Sequence, residues 1–308
     1  MHGVGLFFYF HPSAKLGKGG AFLKIGEMVD ETIKSGIVPI VFDYQRVNLF
    51  SGSAAVFRTF MVINSLDVGT LTYRQYRFVA RRTKQGNHMV KRHIEKLIRL
   101  IPRLTEAHPE AACFTIPVYA RLLKDGELAR MLFDTFSLYP EVSPSSVCIE
   151  LSADILYEDI ADAKERMKEL RDMGVKLAIS EVGDEFCPVF RLAELPFDYA
   201  FADEFTTASL DRDDCERVAG SLVKFLHYLN AKVIAPELDN DTKIAGAKSV
   251  DFDGYTLAAF SPLDELLPPA SEPVIIDTGV AVEAAEPTDE AADAAAEPTE
   301  PDGEVVTV

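Results

Sequence analysis

Two strand-like runs, Val147-Cys-Ile-Glu-Leu-Ser-Ala-Asp154 and Val175-Lys-Leu-Ala-Ile-Ser-Glu-Val-Gly183, constrain this chain more than any other feature. Between them Ile160, Ala163, Met167 and Leu170 mark one apolar face of a crossover helix, and Gly174 permits the left-handed turn into the second strand. Strand, crossover and strand make one β-α-β unit, and repeated units of that kind bury a parallel sheet under helices. Its polar residues fall at strand C-termini, where barrel enzymes place their chemistry.

The alternation continues on both sides. Ile37-Val-Pro-Ile-Val-Phe42 and Ala55 to Ile63 read as strands joined through Leu49-Phe-Ser-Gly52, a connection suited to a hairpin. A helix over His88 to Leu104 carries Val90, Ile94, Leu97, Ile98 and Ile101 on one stripe. The strand Ala112 to Val118 follows, then a helix through Leu128, Leu132 and Phe136 and the strand Val147 to Leu151. Beyond the central unit come a strand over Phe197 to Ala202, a helix over Arg217 to Leu229, the strand Lys232 to Ala235, and a closing segment from Ser249 to Tyr255. A hairpin followed by repeated β-α units predicts an α/β fold, a (β/α)8 TIM-like barrel with an atypical first strand.

Three regions are expected. Residues 1–39 form an N-terminal extension whose helix, Phe22 to Lys34, presents Phe22, Ile25, Val29 and Ile33 on one face and stops at Gly36. Gly17-Lys-Gly-Gly20 within it lacks P-loop spacing and reads as a turn. Residues 40–267 make the barrel. Residues 268–308 form a disordered tail, because from Glu272 onward Ala, Glu, Asp, Pro and Thr dominate and too little apolar surface is available to offset chain entropy.

Charge narrows the functional classes. The net charge is −18, yet Ser271 to the end holds eleven acidic and no basic residues, so the rest of the chain carries only −7. That balance argues against a nucleic-acid surface. Arg74, Arg77, Arg81, Arg82, Lys84, Lys91 and Arg92 make one basic stretch, which at helical spacing reads as a solvated face. With no long apolar run and no signal-peptide pattern, neither a membrane span nor secretion is expected, and the location is expected to be cytoplasmic. Cys113, Cys148, Cys187 and Cys215 are widely spaced and read as reduced thiols, and no histidine lies in a nucleophile or zinc setting. No cofactor is expected.

Set in order, several segments resemble the EAL domain family, which hydrolyses cyclic di-GMP in bacterial signalling. Phe42-Asp-Tyr-Gln45 resembles its opening Tyr-Tyr-Gln segment, and Glu169 to Ala178 its Leu-Arg-x-x-Gly-Val-x-x-Ala run. Leu195-Pro-Phe-Asp-Tyr199, Lys232-Val-Ile-Ala235 and Asp253-Gly-Tyr255 with Ser261-Pro-Leu263 resemble later segments in the same order, over roughly Ile40 to Leu267.

The resemblance implies two divalent cations held by strand-end carboxylates and an asparagine, activating a water for attack on a phosphodiester. At those positions this sequence departs from the family. Arg58-Thr-Phe60 stands for Glu-Ala-Leu, Pro117 for the asparagine, and Glu150 is retained while Ala153 replaces the second glutamate of Glu-x-Thr-Glu. Ser180-Glu181 stands for the Asp-Asp pair, Phe201 for the lysine two residues before Asp203, Pro236-Glu-Leu-Asp239 for Glu-Gly-Val-Glu, and Asp253 for a glutamine.

A guanidinium in a metal shell adds charge of the wrong sign, so Arg58 is expected to neutralise Glu150 or Asp203 instead. Glu150, Glu181, Asp203, Asp239 and Asp253 remain as carboxylates able to converge at the mouth around a single ion. The expected function is that of a catalytically inactive EAL-like signalling protein that binds another protein. The alternatives are a non-hydrolysing cyclic di-GMP receptor, weakened by Val62 at a phosphate-holding arginine's place, and a single-metal phosphodiesterase. Barrels of the family often pair, which implies a homodimer without fixing its interface.

Overall fold

The computed structural model describes residues 41–267 apart from 53, 66–68, 82–83, 185–186, 209 and 211. The expected helix at Phe22 to Lys34, the Gly17 turn and the acidic tail lie outside the described residues.

Within them, eight strands close into a ring. β1 (Val41–Leu49) runs antiparallel to both its neighbours, β2 (Ala55–Ser65) and β9 (Gly254–Leu257). From β2 the order is β4 (Ala111–Val118), β5 (Val147–Ser152), β6 (Lys176–Val182), β7 (Tyr199–Ala202), β8 (Lys232–Leu238) and β9, all parallel. Two short strands, β3 (Gly69–Leu71) and β10 (Ser261–Pro262), add to the edges of β2 and β1. This is the (β/α)8 barrel with an atypical first strand that the sequence predicted.

Of the strand expected at 37–42, residues 37–40 lie outside the described residues, and Val41 and Phe42 belong to β1. β1 continues through Leu49, because its register against β2 runs from Val41 opposite Val62 to Asn48 opposite Ala55. Phe42, Gln45 and Val47 are buried along a half-exposed strand, an irregular pattern that an apolar-run reading undercounts.

The outer layer comprises α1 (Tyr73–Ala80), α2 (Lys84–Ala107), α3 (Ala120–Leu123), α4 (Glu127–Leu138), α5 (Ile160–Asp172), α6 (Glu204–Ala208), α7 (Asp213–Tyr228) and α8 (Asp241–Ser249). α2 buries Val90, Ile94, Leu97, Ile98, Ile101 and Leu104 against the wall, roughly 1.5–3 kcal/mol of transfer free energy for each large side chain. α5 starts where Asp159 accepts hydrogen bonds from the Ala161 and Asp162 amides, and ends before Gly174 at φ 90°. Covered by helices outside and filled within, β5 is buried at every position.

Inward-pointing residues stack in layers because side chains alternate along each strand. Val47, Val56, Cys113, Cys148, Ala178, Tyr199 and Ile234 pack in one cluster with Phe201. One step toward the strand C-termini lie Arg58, Thr115, Glu150 and Ser180, all buried. The apolar filling thus gives way to a polar layer at the mouth. Among the described residues no helix is long and apolar enough to cross a membrane.

Candidate functional site

Arg58 on β2 reaches across β4 to Glu150 on β5. Its Nε donates to Oε2 at 3.0 Å and its Nη2 to Oε1 at 2.5 Å, a two-point pair in which both residues are buried. Thr115 Oγ1 on the intervening strand donates to Oε2 at 3.1 Å. Of the two carboxylates expected to neutralise Arg58, the structure selects Glu150. The guanidinium carbon stands 4.2 Å from the Phe201 ring centroid and 5.1 Å from that of Phe60, so aromatic faces enclose the charge where no further oxygen reaches it.

Pro117 pairs in register with Glu150 and offers no polar atom from its side chain. Ala153 is buried at the start of the short 3-10 turn after β5. Ser180 Oγ lies 3.5 Å from the Leu151 carbonyl. Pro236 accepts through its carbonyl from Thr207 Oγ1 at 3.2 Å. These four positions carry no anionic group into the mouth.

Asp203, just beyond β7, is buried and accepts from the Phe205 amide at 2.8 Å. Burial pushes its pKa up to about 6, against the pull of that amide and with further push from Asp184, Glu204 and Glu181. Asp239 lies at the mouth end of β8 but is well exposed and pairs with Lys243 at 3.0 Å.

Asp253 does not join the convergence of five carboxylates that the sequence allowed at the mouth. It precedes β9 and therefore sits at the opposite end of the barrel. There Oδ2 accepts from the Val233 amide at 2.7 Å and contacts His227 Nε2 at 2.9 Å. His227 is accordingly a partner of this floor carboxylate.

Glu181 occupies an extra residue where the β6–β7 register shifts, in left-handed backbone at φ 63°. Two arginines grip it: Arg77 Nη1 lies 2.7 Å from Oε1 and Arg81 Nη2 2.7 Å from Oε2. Burial alone would raise its pKa, but the two guanidinium groups outweigh that and hold it below the ordinary carboxylate range. A matching irregularity occurs in β8, where Glu237 is left-handed at φ 59° and pairs with Arg74, which also lies 3.4 Å from Glu204. The same α1 helix places Tyr73 over Phe60, with ring centroids 5.3 Å apart.

The arginines of α1 thus form part of the mouth, which corrects their reading as a solvated face. Their i, i+3 and i+7 spacing was a visible signal, but their partners lie a hundred or more residues downstream. Glu237 was likewise missed as a site residue, although it stands at the glycine of the Glu-Gly-Val-Glu pattern. Among the described residues, no group of three or more His, Cys, Asp or Glu side chains is arranged to hold a metal ion.

Comparison with known proteins places this geometry in a family. The EAL domain family model matches residues 28–256, more than half of the chain and starting upstream of the expected barrel boundary. A stretch of 129 residues is 23% identical to an uncharacterized signaling protein of Caulobacter vibrioides, covering 41% of this chain and 16% of that protein. The chain therefore spans a small part of that relative's length. Among solved structures, a PaMucR phosphodiesterase in complex with c-di-GMP superposes with a TM-score of 0.69 at 16% identity, over 79% of this chain and all of that one. The FimX EAL domain of Pseudomonas aeruginosa bound to c-di-GMP gives 0.67 at 16% identity, over 79% and 96%. LapD of Vibrio cholerae, solved as an S helix-GGDEF-EAL fragment without ligand, gives 0.64 at 16%, over 77% and 56%.

Proposed function

Because this chain belongs to the EAL domain family, we propose that it is a signalling protein of the cyclic di-GMP type whose barrel no longer hydrolyses the nucleotide and which acts by binding another protein. The observation that carries the proposal is the buried two-point pair between Arg58 and Glu150. Two divalent cations held a few ångströms apart need several anionic oxygens to offset their mutual repulsion. Here both oxygens of Glu150 are taken by Arg58 and Thr115, and those of Glu181 by Arg77 and Arg81. Asp239 is exposed and paired, and Asp253 is at the far end. Asp203 alone among the five does not suffice. The donor set does not fit the metal pair, and no catalytic step is derived through it.

The protein-binding part of the reading is supported by a barrel whose stability resides in its core, which leaves the surface free to serve recognition. The test is hydrolysis of cyclic di-GMP and of its linear product by the purified chain with Mg²⁺ or Mn²⁺. Neither substrate is expected to turn over, and ordinary phosphodiesterase rates would end the proposal.

A second reading, a non-hydrolysing receptor, is favoured by the FimX EAL domain having been solved with c-di-GMP bound. Against it, the cationic groups best placed to meet phosphates here are already engaged with carboxylates. Calorimetry with cyclic di-GMP separates the two, since binding by the free chain makes it a receptor.

A further inference from the structure

Arg74, Arg77 and Arg81 lie on one side of α1 and its C-terminal turn, and they meet Glu181, Glu204 and Glu237 at the mouth. Through Glu181 they hold the end of β6, and through Glu237 the end of β8, so one helix spans from strand to strand across β7. Both glutamates are left-handed and both sit at an inserted residue, a conformation that a side chain other than glycine rarely adopts without being held. The opposite side of the helix is fastened differently: Tyr76 donates its hydroxyl to the Met61 carbonyl at 2.7 Å and packs in the core. α1 therefore has one apolar, hydrogen-bonded edge on β2 and one ionic edge on β6 and β8.

We infer that α1 is an electrostatic latch on the barrel mouth. Its arginine edge closes the entrance and keeps the two bulged strand ends in their left-handed form, while Tyr76 on β2 is the hinge. When the ion pairs are lost, the arginine edge lifts and the ends of β6 and β8 relax. The latch rests on the proposed function only in treating the mouth as a closed rather than a working site. Partial exposure of the pairs makes them sensitive to screening: the arginine side chains range from 18% to 44% exposed. Buried apolar contacts along the hinge do not share that sensitivity.

Hydrogen exchange on the full chain tests this. In the unsubstituted protein, raising sodium chloride from about 0.1 M to about 1 M shortens the screening length from about 10 Å to about 3 Å. Exchange in α1 and in the segments around Glu181 and Glu237 is expected to accelerate about tenfold, with β4 and β5 unchanged. The R77Q/R81Q double variant is expected to show the same acceleration at low salt, and E181Q reaches the same pairs from the carboxylate side. The salt series needs no variant, so a substitution that fails to fold leaves the test intact. Equal exchange at both salt concentrations would overturn the latch, as would a folded double variant that exchanges like the parent. Hydrolysis does not enter this readout. A chain that cleaves cyclic di-GMP overturns the proposed function alone, and unchanged exchange overturns the latch alone.

Discussion

The floor and the mouth of this barrel are built from the same strands and solve opposite problems. At the floor, Asp198 and Asp253 each stand one residue before a strand, β7 and β9. Each donates its amide to the second residue of the preceding parallel strand, Leu177 or Val233, at 2.8 Å. Each side chain accepts the amide of that same residue, at 2.9 Å and 2.7 Å. Both follow a buried phenylalanine, Phe197 or Phe252. At the mouth the same two strand pairs end in Glu181 and Glu237, whose backbones are bent away from pairing and whose carboxylates face guanidinium groups. Acids at the floor complete the backbone of the sheet. Glu181 and Glu237 at the mouth are held by side chains, so their arrangement depends on which cations are near.

Substitutions at the two ends should divide accordingly. The largest expected effect is at the mouth: Arg58→Ala leaves Glu150 buried beside a single hydroxyl and should cost about 3–5 kcal/mol in urea unfolding. The R58M/E150L double variant, which removes both charges, should recover most of that loss. A single variant as stable as the parent would mean that Arg58 does not compensate the buried charge of Glu150.

Asp253→Ala comes next, stranding the Val233 amide at the floor at a cost of about 1–3 kcal/mol. Its effect should persist at every salt concentration, in contrast to the α1 pairs.

Asp203→Asn should act in the opposite direction. Its folded pKa of about 6 exceeds the ordinary value of 3.8, so the protonated form is favoured on folding and the advantage is lost as pH rises through about 6. The variant, which keeps an acceptor for the Phe205 amide, should be about 1–2 kcal/mol more stable than the parent at pH 7.5 and no different below about pH 4. Stability curves that stay parallel across that range would remove the buried charge from the description of the mouth.

The smallest change is expected for Glu237→Gly. It relieves left-handed strain of about 1–2 kcal/mol while giving up a partly exposed pair valued at about 0–1 kcal/mol, so a net gain between about 0 and 2 kcal/mol should appear.

The barrel walls were legible because burial on both faces leaves strands such as Val147–Ser152 almost uniformly apolar, and α2 shows its stripe at helical period. The part of β1 beyond Phe42 was not, since its burial is set by partners on both edges. The pairing of Arg58 with a buried carboxylate could be anticipated because a guanidinium in a closed interior must find an anion. Asp253 was misplaced because sequence gives a carboxylate near a strand without saying which end it occupies; the repeated Phe-Asp before β7 and β9 was the clue. The α1 arginines were misread because solvated and bridging cations share the same local spacing, and only the closed barrel brings Glu181 and Glu237 beneath them.

The pairing of Arg58 with Glu150 also ties the chemistry of the two positions to each other. A glutamate at position 58 would set two acids side by side, with Phe201 rather than a cation opposite them. A change at position 58 or at position 150 alone would pass through a less stable protein, so a metal-holding mouth would need both positions to change together.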